Sequence, residues 1–432
     1  MREKYIKCGD KRISLNVIEI VVVTLFFAFQ RQMNLVSNVF ENFDELFAIF
    51  VFLKIGFLII KGSCVFTRQD NKIFALMLIV LFIGLFGNIF FGILNDPFMI
   101  TVDVISIFKV LIAYFWIRII KISTSDWDLI IHILASIVRF LILVMLICCL
   151  ASYMGIYKGM LGEVRYGISS YIFLFNVAGN YGKWFYFAIP LLSADLYYSK
   201  NIRKYIYIII AMVLWLTTLR SRAFALVTCY AVFSIWFFKI KKQSRNKTHI
   251  VNILPMSMIA IIMCWQQLVF YFTDATQARA NLLKYSIVTA KEYFPFGAGF
   301  GTYGSDVAAT TYSNLYTIYG FKSIYGMGRV HTRFLNDNYW PMIIGQFGVF
   351  GVAAMALILY SIYKQCISYV KKNKYFFFAT ICSIFFLLAS SLASKSYSEY
   401  TSIAVFLVHG ILVQREIANN RDEMCGCMSE KK

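Results

Sequence analysis

Apolar residues run continuously for about 17–25 positions at a time along this chain, with short polar segments between the runs. A helix of that length crosses a bilayer. Because the runs are continuous and not alternating, a membrane β-barrel is excluded. The pattern predicts twelve spans, at 13–30, 44–61, 73–94, 99–120, 129–153, 168–198, 203–219, 221–239, 250–271, 338–363, 374–393 and 400–415. The sixth is too long for one crossing and reads as an approach segment, 168–181, before a helix near 183–198. The expected fold class is an all-α polytopic membrane protein, one integral domain over 1–432. Between spans 9 and 10 lies a long loop, 272–337, and a polar tail follows at 416–432.

Composition agrees with the pattern. A chain of 432 residues that is 60% hydrophobic and 15% charged has no soluble domain of any size. Lys and Arg set the orientation. With the N-terminus inside, 26 of the 42 fall on inner segments and 12 on outer ones. Both termini are then cytoplasmic and the 272–337 loop is external. The net charge of +20 is mostly this topology signal, and no nucleic-acid partner is implied. The basic start and first apolar run lack a small-residue cleavage site, so an uncleaved first helix is expected. None of the ten cysteines falls in the outer loop, which implies no disulfide framework. Cys425 and Cys427 are two ligands without partners, and the four histidines lack ligand spacing, so no metal or other cofactor is expected.

Lys54, Lys109 and Arg139 fall near the middle of their spans, at about 2.5–3.5 kcal/mol each on insertion scales. No Asp or Glu is expected at comparable depth, since Glu19 and Asp195 lie nearer the cytoplasmic ends. Cations without carboxylates suit an anionic ligand; snorkelling to lipid headgroups is the equal alternative. Asp126-Trp127-Asp128 has the form of a metal-diphosphate triplet, but it directly precedes an apolar run, where Asp caps a helix. Glu163 and Arg165 form a candidate rim pair. Arg220 and Arg222 sit at an outer hairpin against the positive-inside rule. Arginine grips planar phosphate or carboxylate, though both side chains can also reach lipid phosphates.

In the outer loop, 277–293 reads as a helix with Leu283, Ile287 and Ala290 on one face and Arg279 in its first turn. Pro295 follows, then Gly297, Gly299 and Gly301, a run free to pass close to a ligand or a helix. Tyr303 is one of seven loop tyrosines, a residue suited equally to sugar faces and membrane interfaces. The loop ends in Gly328–Gly351. Arg329, His331, Arg333, Asp337 and Asn338 lead there into an apolar helix whose Gly345, Gly348 and Gly351 lie along one side for close backbone approach.

Twelve spans, a long outer loop before the tenth and three motifs resemble the O-antigen ligase/polymerase superfamily. The motifs are Leu219–Leu226 (LRSRAFAL), Arg279 through the P-x-G-x-G-x-G of 295–301, and Asp337-Asn338 nine residues before Gly348-Val349-Phe350-Gly351. They cover about 215–360; the remainder is similar only in hydropathy. Where the ligases begin the third motif with His, this chain has Asp337, with His331 six residues upstream. That departure favours an O-antigen or capsular repeat-unit polymerase over a ligase.

The resemblance implies a metal-independent glycosyltransferase of the bacterial inner membrane. An acceptor sugar hydroxyl on one undecaprenyl-diphosphate-linked repeat unit attacks the anomeric carbon of another, and undecaprenyl diphosphate leaves. Membrane lipid, a flippase and a chain-length regulator would be its partners. Arg222, Arg279 and Arg333 would stabilise the leaving diphosphate, with Arg220 and Arg329 second. Asp337 or His331 would serve as base, against plainer roles as a helix cap and a loop residue. Asn338, Gly297, Gly299 and Tyr303 would contact substrate. A lipid-linked glycan flippase and a non-catalytic scaffold are the readings from other classes.

Overall fold

Short polar residues at the ends of the apolar runs set where helices begin. Thr67 and Asp70 form a reciprocal capping box, and Asp96 accepts from the Phe98 and Met99 amides just before Pro97. The structure is a computed structural model that describes residues 5–8, 11–62, 66–198, 201–240, 258, 262, 265, 269–274 and 276–429. A hairpin of β1 (Tyr5–Cys8) and β2 (Lys11–Ser14) leads into α1 (Leu15–Val36), α2 (Phe43–Ile60), α3 (Arg68–Phe91), α4 (Pro97–Ile119) and α5 (Thr124–Tyr153). A second hairpin, β3 (Leu161–Arg165) and β4 (Ile168–Tyr171), precedes α6 (Ala178–Asp195), α7 (Ile202–Leu216) and α8 (Ser221–Ile235). The 272–337 loop holds α9 (Ala278–Glu292), α10 (Asp306–Thr311) and α11 (Asn314–Ile318). Then come α12 (Tyr339–Val370), α13 (Lys374–Ser391) and α14 (Tyr400–Ser429).

Among the described residues eight helices, α1, α3, α4, α5, α8, α12, α13 and α14, are long and apolar enough to cross a membrane. Three others stand where spans are predicted: α2 carries Asp44, Glu45 and Lys54, α6 carries Asn180, Lys183 and Asp195, and α7 has 15 residues. The ninth predicted span, 250–271, lies mostly outside the described residues, as do the side chains of Cys425 and Cys427. Helix α14 is the most enclosed, with 94% of its apolar window buried, against 33% for α3 and α5. The late helices therefore form the centre. Helices α2 and α3 turn Phe50, Phe52, Leu53, Phe57 and Phe82 outward, the apolar exterior a lipid-facing helix needs.

The mid-span cations are not unpartnered. Lys109 is paired with Asp44 and Glu45, Arg139 with Asp195, and Lys54 with Glu19 at 3.7 Å. Long stems let each cation reach a carboxylate on a neighbouring helix, so these three give no support to an anionic ligand. Asp103 in α4 is a carboxylate at depth that the hydropathy reading passed over; it is 1% exposed and accepts the Gly301 amide at 2.8 Å. At the acidic triplet, Ser123 is the cap and Asp126 its partner at the third helical position. Asp128 accepts from Arg415 Nε and from the Tyr198 hydroxyl.

The glycine-rich loop is a packing device. Gly348 (φ 58°, ψ −158°) breaks α12, and the Ala298 and Gly299 amides donate to the freed carbonyls of Gly345 and Gln346 at 3.0 and 2.9 Å. Non-helical backbone within an apolar layer needs such partners. Asn88 of α3 accepts from the Phe300 amide and donates to its carbonyl. A Cβ on Gly297 would lie 2.4 Å from the Gly348 nitrogen, and one on Gly299 2.5 Å from the Asn88 nitrogen. Gly297 and Gly299 are thus spent on helix contacts, and the fully buried Tyr303 donates its hydroxyl to the Leu282 carbonyl. The glycine stripe of α12 is also not uniform. A Cβ on Gly348 would meet the backbone of Pro295 and Gly297, whereas one on Gly345 would meet the Tyr303 ring and one on Gly351 its own helix's Phe347. In α9 the buried face is Leu282, Ser286, Thr289 and Ala290, while Ile287 is exposed.

Candidate functional site

Helices α7 and α8 meet in a turn where Thr217 and Thr218 donate their hydroxyls to the last α7 carbonyls and Leu219 adopts φ 52°. The turn brings Arg220 and Arg222 to the start of α8. There they border a cleft of about 1390 Å³. It is enclosed by the first turns of α6, α8, α9 and α12, the end of α13 and the connection into α14. Four helix N-termini converge on it, each with unsatisfied amides and positive partial charge. Every one of these ends lies on the side that the charge count assigns to the exterior.

Seven cationic and three acidic side chains line the cleft. Five of the predicted residues meet there: Arg220, Arg222, Arg279, Arg333 and Asp337. Arg279 donates through Nε and Nη2 to Asp337 Oδ2 at 3.0 and 2.8 Å, and its guanidinium lies 4.7 Å from the centre of the Tyr271 ring. Arg222 donates to the Ser390 and Ser394 hydroxyls at 3.1 and 3.4 Å. Among the described residues, no carboxylate lies within ion-pair distance of Arg222 or Arg333. At the rim, Arg165 and Arg220 share Glu163 at 3.2 and 3.4 Å. Burial, and then the Arg165 charge, push the Arg220 guanidinium below its usual range, with Glu163 acting the other way. An incoming anion relieves that repulsion.

Part of the lining is apolar, with Leu226 from α8 and Phe385, Leu388 and Leu392 from α13 and its end. Cations beside apolar side chains fit an amphiphile with an anionic head. Lys395 carries the cleft toward α10, where it binds Asp306 at 2.5 and 2.6 Å. Burial pushes the Asp306 carboxyl up, but Lys395 and Asn336 outweigh it and the group titrates below the usual carboxylate range.

The remaining predicted residues lie elsewhere. Arg329 and His331 are exposed in the turns of 328–334 and do not line the cleft; Arg329 sits over the Tyr312 ring. Asn338, and not Asp337, occupies the cap position of α12, and its buried side-chain amide has no hydrogen-bond partner among the described residues. Sequence reasoning passed over Lys183, Lys395, Glu399 and the interlinked hydroxyls of Ser390, Ser394 and Ser396. The signal for them was the serine-rich break between two apolar runs, 390–402. No group of three metal-ligating side chains occurs among the described residues. No family model matches the chain, and no characterised protein matches it in sequence.

Proposed function

We propose that this protein is a membrane glycosyltransferase that joins undecaprenyl-diphosphate-linked oligosaccharide repeat units. Its cleft would face the outside of a bacterial inner membrane, and undecaprenyl diphosphate would be the product released. The observation that carries the reading is the cleft itself: Arg222 and the exposed Arg333, without carboxylate partners among the described residues, Arg279 in the same lining, and apolar side chains beside them. A diphosphate leaving group develops charge as the glycosidic bond breaks, and fixed guanidinium groups stabilise it where water is scarce. The apolar side chains suit the polyprenyl chain. The attacking hydroxyl must also lose a proton. Asp337 lines the cleft but is gripped by Arg279, and His331 lies outside it.

The test is genetic. The gene is deleted in its host, complemented with wild type, Arg222→Ala or Arg279→Ala, and the surface polysaccharide is run on a gel with membrane levels checked alongside. A polymerase leaves single repeat units and no ladder in the deletion strain. A ligase leaves full-length polymer stranded on undecaprenyl diphosphate. An intact ladder in the deletion strain, with no second polymerase present, removes the reading.

A further inference from the structure

Glu399 and Lys183 form an ion pair inside the cleft that the diphosphate clamp does not use. Lys183 Nζ lies 2.6 Å from Glu399 Oε1, and the two side chains are 10% and 11% exposed. An enclosed pair of this kind adds little stability, because removing both charges from water offsets their attraction. Glu399 directly precedes α14, and its carbonyl accepts the Ser402 amide at 3.1 Å. At that position Ser, Thr, Asp or Asn would cap the helix. The glutamate side chain is instead turned to Lys183 of α6, and Arg222 and Asp337 line the same cleft. Among the described residues, only Lys183 donates to the Glu399 carboxylate, and only to Oε1.

We propose that Glu399 is the base of the transfer reaction and that Lys183 positions it. The assignment rests on the reading of the protein as a glycan polymerase. The acceptor hydroxyl oxygen forms a bond to the anomeric carbon of the donor sugar. The bond from that carbon to the diphosphate oxygen breaks, and its electron pair leaves with undecaprenyl diphosphate. The hydroxyl proton passes to Glu399 Oε2 and then to water. Lys183 holds Oε1, which fixes the carboxylate's plane and keeps the second oxygen directed to the acceptor. Asp337 is less suited, since two N–H groups of a permanently charged guanidinium already bind one of its oxygens.

The experiment uses full-length protein in lipid vesicles and undecaprenyl-diphosphate-linked repeat units extracted from a host strain lacking the gene. Ladder formation is timed across a pH series. Glu399→Gln is expected to lower kcat by about 10²–10⁴-fold with KM for the lipid-linked donor near wild type, and to abolish the acidic limb of the pH–rate profile. Glu399→Asp is expected to be intermediate, and Lys183→Met to displace the limb. A Glu399→Gln protein with wild-type kcat and an intact acidic limb overturns the assignment. When Arg222→Ala loses ladder formation in the same assay while Glu399→Gln does not, the polymerase reading survives that result and only the base assignment falls. A wild-type protein that builds no ladder overturns both. Should Glu399→Gln not accumulate in membranes, Glu399→Asp decides: a wild-type rate and profile from it also overturns the assignment.

Discussion

Arg222 is the residue whose chemistry is least explained by structure alone. Its partners are hydroxyls, which keep it in place without neutralising it. Arg222→Ala is therefore expected to lower ladder formation by about 10²–10³-fold at unchanged membrane level, as when one transition-state charge stabiliser is removed. Arg222→Lys is expected to recover only part of that, because an ammonium cannot grip phosphate through two parallel bonds. Arg279 differs, since Asp337 already compensates it. A double-mutant cycle with Arg279→Ala and Asp337→Asn, read by thermal unfolding in detergent, is expected to give a coupling of up to about 1 kcal/mol, the range of a partly exposed pair. Arg222 was legible because, with Arg220, it stands at a predicted outer hairpin that should be poor in positive charge, and Arg279 because it opens a loop helix followed by a glycine-rich run. Lys183 and Glu399 were not, because each looked ordinary in its own segment and the pair forms across 216 positions of chain.

At the scale of the element, the junction between the glycine-rich run and α12 holds the 272–337 loop to the helices. Gly348→Ala would place a Cβ 2.5 Å from the Pro295 carbonyl oxygen at a left-handed φ. It is expected to destabilise by about 2–4 kcal/mol, the cost of a forbidden backbone combined with overpacking. Gly179→Ala, where nothing lies within 4 Å, should leave the melting temperature unchanged. Hydropathy located the helices well, since continuous apolar runs and capping residues are local signals. It could not locate the break in α12, because a G-x-x-G spacing reads equally as a packing stripe and as a kink. The Asp306–Lys395 link, which ties α10 to the connection before α14, adds a pH dependence. Its folded carboxyl titrates below the usual 3.8, so its contribution is complete well above that value and is lost as pH falls through the folded value beneath it. Wild type should lose melting temperature below about pH 3.8 more steeply than Asp306→Asn does.

Across the whole molecule, the proposal depends on which side of the membrane the cleft faces. The four helix starts, the serine-rich connection and the outer loop gather at one end of the helices, and the loop between α4 and α5 lies at the other. Lys and Arg counts alone assign the first end to the exterior, and half of the outer positive charge sits in one long loop where the rule weighs little. Single cysteines test the assignment directly. Ser323 and Ser125 are both exposed, one in the 272–337 loop and one at the start of α5. Ser323→Cys should react with a membrane-impermeant maleimide in intact cells, and Ser125→Cys only after permeabilisation, each above the background of the native cysteines. The reverse result would put the cleft in the cytoplasm. Nucleotide sugars are available there, so a lipid-linked donor would lose its physical rationale, and the arginine cluster would have to be explained by a different anion.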